Sequence, residues 1–373
     1  MVSMRRSGAR WSWAIAVGLA GAALSVACGG DESTTAEPTE SAAPAAAVDA
    51  LDRDALREQA RTFLGALPAE APNLENPLTP AKVELGRMLY YDERLSVNHD
   101  ISCNTCHLLD RHGVDGQPTS AGHRNQRGDR NSPTVYNAAL HVAQFWDGRA
   151  ADVEEQAKGP ILNPVEMAMP SKDVVVAVLE SIPGYASLFA AAFPADEQPI
   201  TYDNMARAIG AFERQLLTPS TFDAFLAGDD AAMSDAQVAG LGTFLSSGCV
   251  VCHQGPTIGG SLYRKLGLAK PYATEDPGRQ AVTGDEVDRH VFKVPSLRNI
   301  AHTGPYLHDG SIESLESTIR IMATHQLGNE LSAAQVASIR TFLEALTGRV
   351  DERLIARPEL PASSARTPKP DPS

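Results

Sequence analysis

The chain has 373 residues, 43% hydrophobic and 21% charged, with a formal net charge of −14. That length is enough for two domains with separate cores, and the composition excludes a disordered chain. The acidic balance argues against a nucleic-acid partner, whose phosphates it would repel.

Residues 1–27 read as an export signal. Arg5, Arg6 and Arg10 give the positive start, and residues 11–27 carry no charge. Seventeen small and apolar residues are short for a membrane span and typical of a signal peptide. Its removal takes three positive charges and leaves the mature chain at −17. Cys28 follows a small residue, as in the lipobox of bacterial lipoproteins, which points to a lipid anchor there. Plain cleavage beside Ala27 is the alternative. Residues 28–50 hold five acidic side chains and no basic one, the composition of a flexible tether. The expected globular part is residues 51–220 and 221–356, and residues 357–373, with five prolines, are expected to be a disordered tail.

The remaining four cysteines form two identical patterns, Cys103-Asn104-Thr105-Cys106-His107 and Cys249-Val250-Val251-Cys252-His253. Two Cys two residues apart and followed at once by His is the pattern of c-type haem attachment. Both thiols add to the porphyrin vinyl groups, and the adjacent His then reaches the iron axially. A zinc site or two redox CxxC pairs are the rivals. Zinc asks for a second ligand pair nearby, and redox chemistry does not explain His twice. The repetition continues: Pro133 to Asn137 and Pro295 to Asn299 are each Pro-x-x-x-Asn, and Asp147-Gly148 and Asp309-Gly310 each follow 14 residues after their Pro. Two homologous haem domains follow from this order.

The pattern between the motifs is helical. Thr79-Pro80 opens a helix before the first CxxCH. Met205, Ile209, Phe212 and Leu216 trace another. Ser234 with Gln237 makes a capping box ahead of Val238, Leu241, Phe244 and Leu245. Ser332 with Gln335 opens a last helix, with Gly348 as its expected stop. Strand signals are scarce, so the expected fold is all-α: two cytochrome c-like haem domains with long loops and little strand.

The second axial ligand of each iron decides the chemistry. His107 and His253 hold one side. Met322 is the single methionine after His253 and the natural partner of the second haem, a buried core Met being the other reading. Its counterpart in the first repeat is Pro160, which cannot ligate. The candidates there are His112, His123 and His141. His112 lies too close to His107, while His123 sits in a glycine-bearing loop, Thr119 to His123. An open first haem would make Gln156 and Glu166 its neighbours, because a carboxyl there can carry a peroxide proton between oxygens. Either is otherwise a solvated side chain.

The runs Gln144-Phe145-Trp146-Asp147-Gly148-Arg149-Ala150, Glu155 to Pro160, Asn163-Pro164-Val165-Glu166-Met167 and Val294 to Asn299, with Ile321-Met322, closely resemble bacterial dihaem cytochrome c peroxidases. The resemblance runs from about Thr79 to Gly348. It implies a peroxidatic haem on Cys103, Cys106 and His107, with His123 as the distal ligand that leaves on activation. It implies an electron-transfer haem on Cys249, Cys252 and His253, with Met322 opposite. Trp146 would lie between the haems, and Glu166 and Gln156 would handle peroxide. A calcium ion would be held by Asn131, Thr303 and Pro305. The family also implies a periplasmic homodimer that reduces hydrogen peroxide with electrons from a small cytochrome c or a cupredoxin. Two other readings remain. One is a plain dihaem electron carrier. The other is the MauG-like branch, which oxidises tryptophans of a partner protein and replaces the Met ligand with Tyr.

Overall fold

The computed structural model describes residues 52–372. The signal peptide at 1–27, Cys28 and the tether at 28–50 lie outside the described residues. Helices dominate, and the sole sheet among the described residues pairs Tyr263–Lys293 to Lys265–Val291 antiparallel between two three-residue strands, β1 (Tyr263–Lys265) and β2 (Val291–Lys293). This is the all-α fold expected from the sequence.

Two apolar cores organise the chain. The first is built by α2 (Pro80–Tyr91), α4 (Val153–Leu162), α5 (Lys172–Glu180), α6 (Pro183–Ala192) and α7 (Tyr202–Glu213), with the one-turn α3 (Cys103–Cys106) on it. Thr79 caps α2 through its side chain, and Pro80 begins it where a missing N–H costs nothing. Met205, Ile209, Phe212 and Leu216 are fully buried in this core, as their spacing predicts. The second core gathers α1 (Arg53–Phe63), α8 (Thr221–Ala227), α9 (Asp235–Ser246), α11 (Leu315–Met322) and α12 (Ala333–Glu344), while the short α10 (Gln280–Thr283) lies in the connection between. Both predicted capping boxes form, Ser234 with Gln237 and Ser332 with Gln335.

The same crossing is used twice. A Cβ on Gly86 of α2 would stand 1.9 Å from the Ala208 carbonyl oxygen of α7, and one on Gly240 of α9 would stand 2.2 Å from that of Ser338 on α12. The helix that precedes each CxxCH motif therefore touches its partner backbone to backbone.

Three boundaries differ from the sequence expectation. Helix α1, assigned to the first domain, packs Ala60 and Leu64 into the second core. An amphipathic helix goes where its apolar stripe is covered, and that face lies on α8 and α9. Residues 357–372, expected to be disordered, run along the first core. Arg94 donates to the Pro361 carbonyl at 2.8 Å, Ser364 to the Ser181 carbonyl at 2.7 Å, and the Asp371 N–H to the Val97 carbonyl at 3.0 Å. Prolines keep such a segment extended without needing partners for their own nitrogens. Gly348 is not the stop of α12, which ends at Glu344.

Gly348 instead belongs to a buried junction between the cores. Asn137 and Asn299, the last residues of the two Pro-x-x-x-Asn repeats, are both left-handed and fully buried. Each donates through Nδ2 to the same atom, Thr218 Oγ1, at 2.7 and 2.9 Å. Asn137 Oδ1 accepts from the Thr218 N–H and Asn299 Oδ1 from the Gly348 N–H, both at 2.9 Å. Asn299→Ala strips this node and puts a Cβ residue without a stabilising amide in the left-handed region. We expect it to cost about 3 kcal/mol in denaturant unfolding of the intact protein, and Asn137→Ala to cost a similar amount.

Candidate functional site

The first CxxCH motif is fixed by its own short helix. Ser102 and Thr105 cap α3 reciprocally, and the His107 N–H donates to the Cys103 carbonyl at 3.0 Å. Tyr90 of α2 donates its hydroxyl to the His107 carbonyl at 2.8 Å. The imidazole is buried and its Nδ1 has no well-formed partner beside the Gly113 and Pro133 backbones. Burial keeps the ring neutral, its pKa below the ordinary value. The second motif repeats the arrangement. The His253 N–H reaches the Cys249 carbonyl at 3.0 Å, and its Nδ1 lies 3.2 Å from the Ile258 carbonyl. That contact makes Nδ1 the donor and leaves Nε2 free as a metal ligand. Burial depresses this imidazole to about 4. The four thiols are unpaired, and burial raises Cys106 and Cys249 to about 11.

A large, mostly apolar cavity opens beside the second motif. Cys249, Cys252 and His253 line it, and so does Met322. Met322 ends α11 where the chain passes into a π-helical turn, Ala323–Leu327, a local distortion common at functional sites. The residues fit a c-type haem: two free thiols, a neutral imidazole and a thioether share one apolar wall. Among the described residues no three His, Cys, Asp or Glu side chains gather as a metal cluster, so the zinc reading has no ligand set.

The first repeat differs. His123 is buried in a one-turn 3-10 helix whose next two residues, Arg124 and Asn125, have positive φ. Its imidazole makes no hydrogen bond among the described residues, as suits an iron ligand. The loop is pinned by backbone: His123 N–H donates to the Glu166 carbonyl at 2.7 Å. Gly122 allows this approach, since a Cβ there would lie 2.0 Å from the Val165 carbonyl oxygen. His112 instead stacks on His302 at 4.3 Å, and His141 lines the second cavity.

Glu166 faces a separate cavity together with Phe145, Arg149, Glu155, Gly159, Pro160 and Asn163. Burial raises the Glu166 pKa, while Arg149 and the 2.9 Å bond from Asn163 Nδ2 hold it back. Gln156, on the same helix as Glu155, is half-buried and does not line this cavity. Arg149 and Asn163 were missed as functional residues in the sequence. They stand in the resemblance runs, but nothing in spacing marks a side chain that acts by charge on a neighbour. Arg149 also covers the Phe145 ring at 3.4 Å.

Trp146 links the two halves. Its Nε1 donates to the Asn131 carbonyl at 2.9 Å, and its ring meets the His308 ring edge-on at 6.5 Å. Asn131, Thr303 and Pro305 line the large cavity near it. Asn131 Nδ2 is spent on the Gln117 and Pro118 carbonyls, which leaves Oδ1 without a donor among the described residues.

Residues 80–231 match the family model described as di-haem cytochrome c peroxidase. A cytochrome c551 peroxidase of Pseudomonas aeruginosa is 45% identical over 85% of this chain and 93% of its own. One from Nitrosomonas europaea is 45% identical over 83% of this chain and 95% of its own. The methylamine utilization protein MauG of Methylorubrum extorquens is 35% identical over 90% and 96%. A solved MauG-like protein associated with microbial copper homeostasis superposes with a TM-score of 0.69 at 30% identity, covering 82% of this chain and 97% of that one. The chain belongs to the di-haem cytochrome c peroxidase family. It is a peroxidase, an oxidoreductase of the cytochrome-c-peroxidase class.

Arg149 lowers the Glu166 pKa that burial raises, so the ionised carboxylate is lost as pH falls through a value above the ordinary carboxylate range. Removing the guanidinium in Arg149→Ala lifts that value further. The acidic limb of the peroxidase pH–rate profile then moves up by about one unit, and Asn163→Leu moves it in the same direction.

Proposed function

We propose that this chain reduces hydrogen peroxide to water with two electrons taken from a small cytochrome c or a cupredoxin. One haem would be held by Cys249 and Cys252, with His253 and Met322 as its iron ligands, and would receive the electrons. The other would be held by Cys103, Cys106 and His107, with His123 as the ligand that leaves. The observation that carries the reading is the asymmetry of the two repeats. Met322 shares an apolar cavity with His253, while His123 hangs on a backbone contact to Glu166, which opens on its own cavity.

A thioether favours the reduced iron, which makes the second haem the acceptor of higher potential. When bound, the haems supply the iron and the electrons that cleave the O–O bond. The protein's side chains move the protons. Glu166, as the carboxylate, takes a proton from one peroxide oxygen and returns it to the other, which leaves as water. Arg149 counters the rise that burial gives the Glu166 pKa. Gln156, also on α4, stands outside the Glu166 cavity and takes no part in this proton transfer. Trp146 spans the interval between the halves, its indole held by the Asn131 carbonyl.

Release of His123 asks the 119–126 loop to give up its backbone contact with Glu166 and the side-chain bonds of Ser120 to Ser132 and of Gln126 to the Pro164 carbonyl, while no side-chain bond fixes the imidazole itself. Asn131, through its free Oδ1, and the backbone of Thr303 and Pro305 would hold a calcium ion by hard oxygen ligands. The export signal supports a periplasmic location, the small residue before Cys28 a lipid anchor there, and the family resemblance a homodimer. Met322 disfavours the MauG-like reading, and Glu166 with its cavity disfavours a plain electron carrier.

The test is a peroxide assay on half-reduced protein. Glu166→Ala is expected to lose about 100-fold or more in kcat with haem content and spectra intact. Met322→Leu keeps both haems, lowers the potential of one and slows turnover. Full turnover in both variants overturns the assignment.

A further inference from the structure

Lys293 is 7% exposed, and among the described residues no carboxylate is within ion-pair distance of it. It ends β2 with its chain turned into the junction between the two halves. Nζ donates to the Ala143 carbonyl at 2.7 Å and lies 3.3 Å from His141 Nδ1. An ammonium has only donors, so His141 Nδ1 accepts and its Nε2 carries the hydrogen. That Nε2 is buried with no partner, and Lys293 has one donor left. Both side chains line the cavity of Cys249, Cys252 and His253, whose walls are otherwise mostly apolar. A buried charge without a counter-charge and two spare donors on one wall make a site for an anion, and a planar carboxylate matches it.

The repeat explains why a cation stands there. Pro133 and Pro295 register the two halves 162 residues apart. In that register Lys293 corresponds to Asn131, His141 to Thr303 and Ala143 to Pro305. The backbone follows suit: the Lys293 N–H donates to the Trp146 carbonyl at 2.8 Å, and the Asn131 N–H to the His308 carbonyl at 2.8 Å. The residues around the Lys293 ammonium are therefore the pseudo-symmetric mates of the three we propose for calcium. One junction carries its cation on a side chain.

We propose that Lys293, with His141, binds a carboxylate of the haem in the second cavity and is the fixed, metal-independent positive charge beside it. The inference rests on the reading that Cys249, Cys252 and His253 hold a haem. A fixed positive charge near the iron favours the ferrous state and raises the potential of the haem that accepts electrons. The other groups facing Lys293 are Asp147 of the same loop as His141, itself engaged by Arg130 and Arg149, and Tyr263, its cross-strand partner on β1. Without a counter-charge, burial draws the Lys293 pKa down to about 7. An ionised carboxylate restores the ammonium, so haem and lysine hold each other charged.

The experiment is spectroelectrochemistry of the haem-loaded full chain across pH, with haem content and the sulfur-to-iron charge-transfer absorption recorded beside it. Lys293→Met is expected to keep both haems and the sulfur-to-iron absorption, to lower the midpoint potential of the Met322 haem, and to steepen its pH dependence. The potential of the other haem stays unchanged, and Lys293→Arg restores the wild-type value. An unchanged potential and slope in Lys293→Met, or an equal fall in Lys293→Arg, overturns the proposal. Should Lys293→Met not load haem, His141→Leu reads the same site: a smaller fall supports the proposal and no change overturns it. Absence of the second haem or its sulfur absorption in the unmutated protein would instead sink the haem reading itself.

Discussion

The molecule turns on one buried hydroxyl. Thr218 Oγ1 accepts a hydrogen bond from Asn137 and another from Asn299, the matching residues of the two repeats. Nothing else in that position is exposed to water, so a lost partner would leave amide groups unpaired at full cost. The node sets the two Pro-x-x-x-Asn segments in one register. Everything that lies between the halves depends on that register: the indole of Trp146, the amide of Asn131 and the ammonium of Lys293. A one-residue slip would move all three off their carbonyl partners.

On this shared frame the chemistry comes from a few unequal positions. Met322 and Pro160 correspond, and only one can ligate iron. Lys293 and Asn131 correspond, and only one brings its own charge. The first half compensates with a His on a backbone-held loop and a carboxyl raised in pKa by burial. The repeat supplies two similar frames, and different residues at equivalent places set the two halves apart.

Much of this was legible in the linear chain. The two Cys-x-x-Cys-His runs, the capping boxes at Ser234 and Ser332, the Thr79-Pro80 start and the buried stripe from Met205 to Leu216 are local patterns. Each depends on residues within about four positions of one another, where helix geometry fixes the relation. Met322 could be singled out by elimination, and Glu166 by resemblance. Arg149 and Lys293 could not, and His141 was legible only as a candidate iron ligand, because their meaning lies in what they face across the fold. The course of the two ends was also hidden. Helix α1 joins the second core and residues 357–372 lie on the first, which no boundary based on composition could show.

The sequence by itself determined the class of fold, the repeat, the haem attachment chemistry and the inequality of the two halves, since each rests on short-range spacing. Only the tertiary structure decided which groups are buried together. Asn137, Thr218, Asn299 and Gly348 are scattered along the chain, and they become one node because burial demands that every amide find a partner. The same demand, applied to Lys293 and its empty-handed neighbour His141, marks where a charge waits for its counterpart.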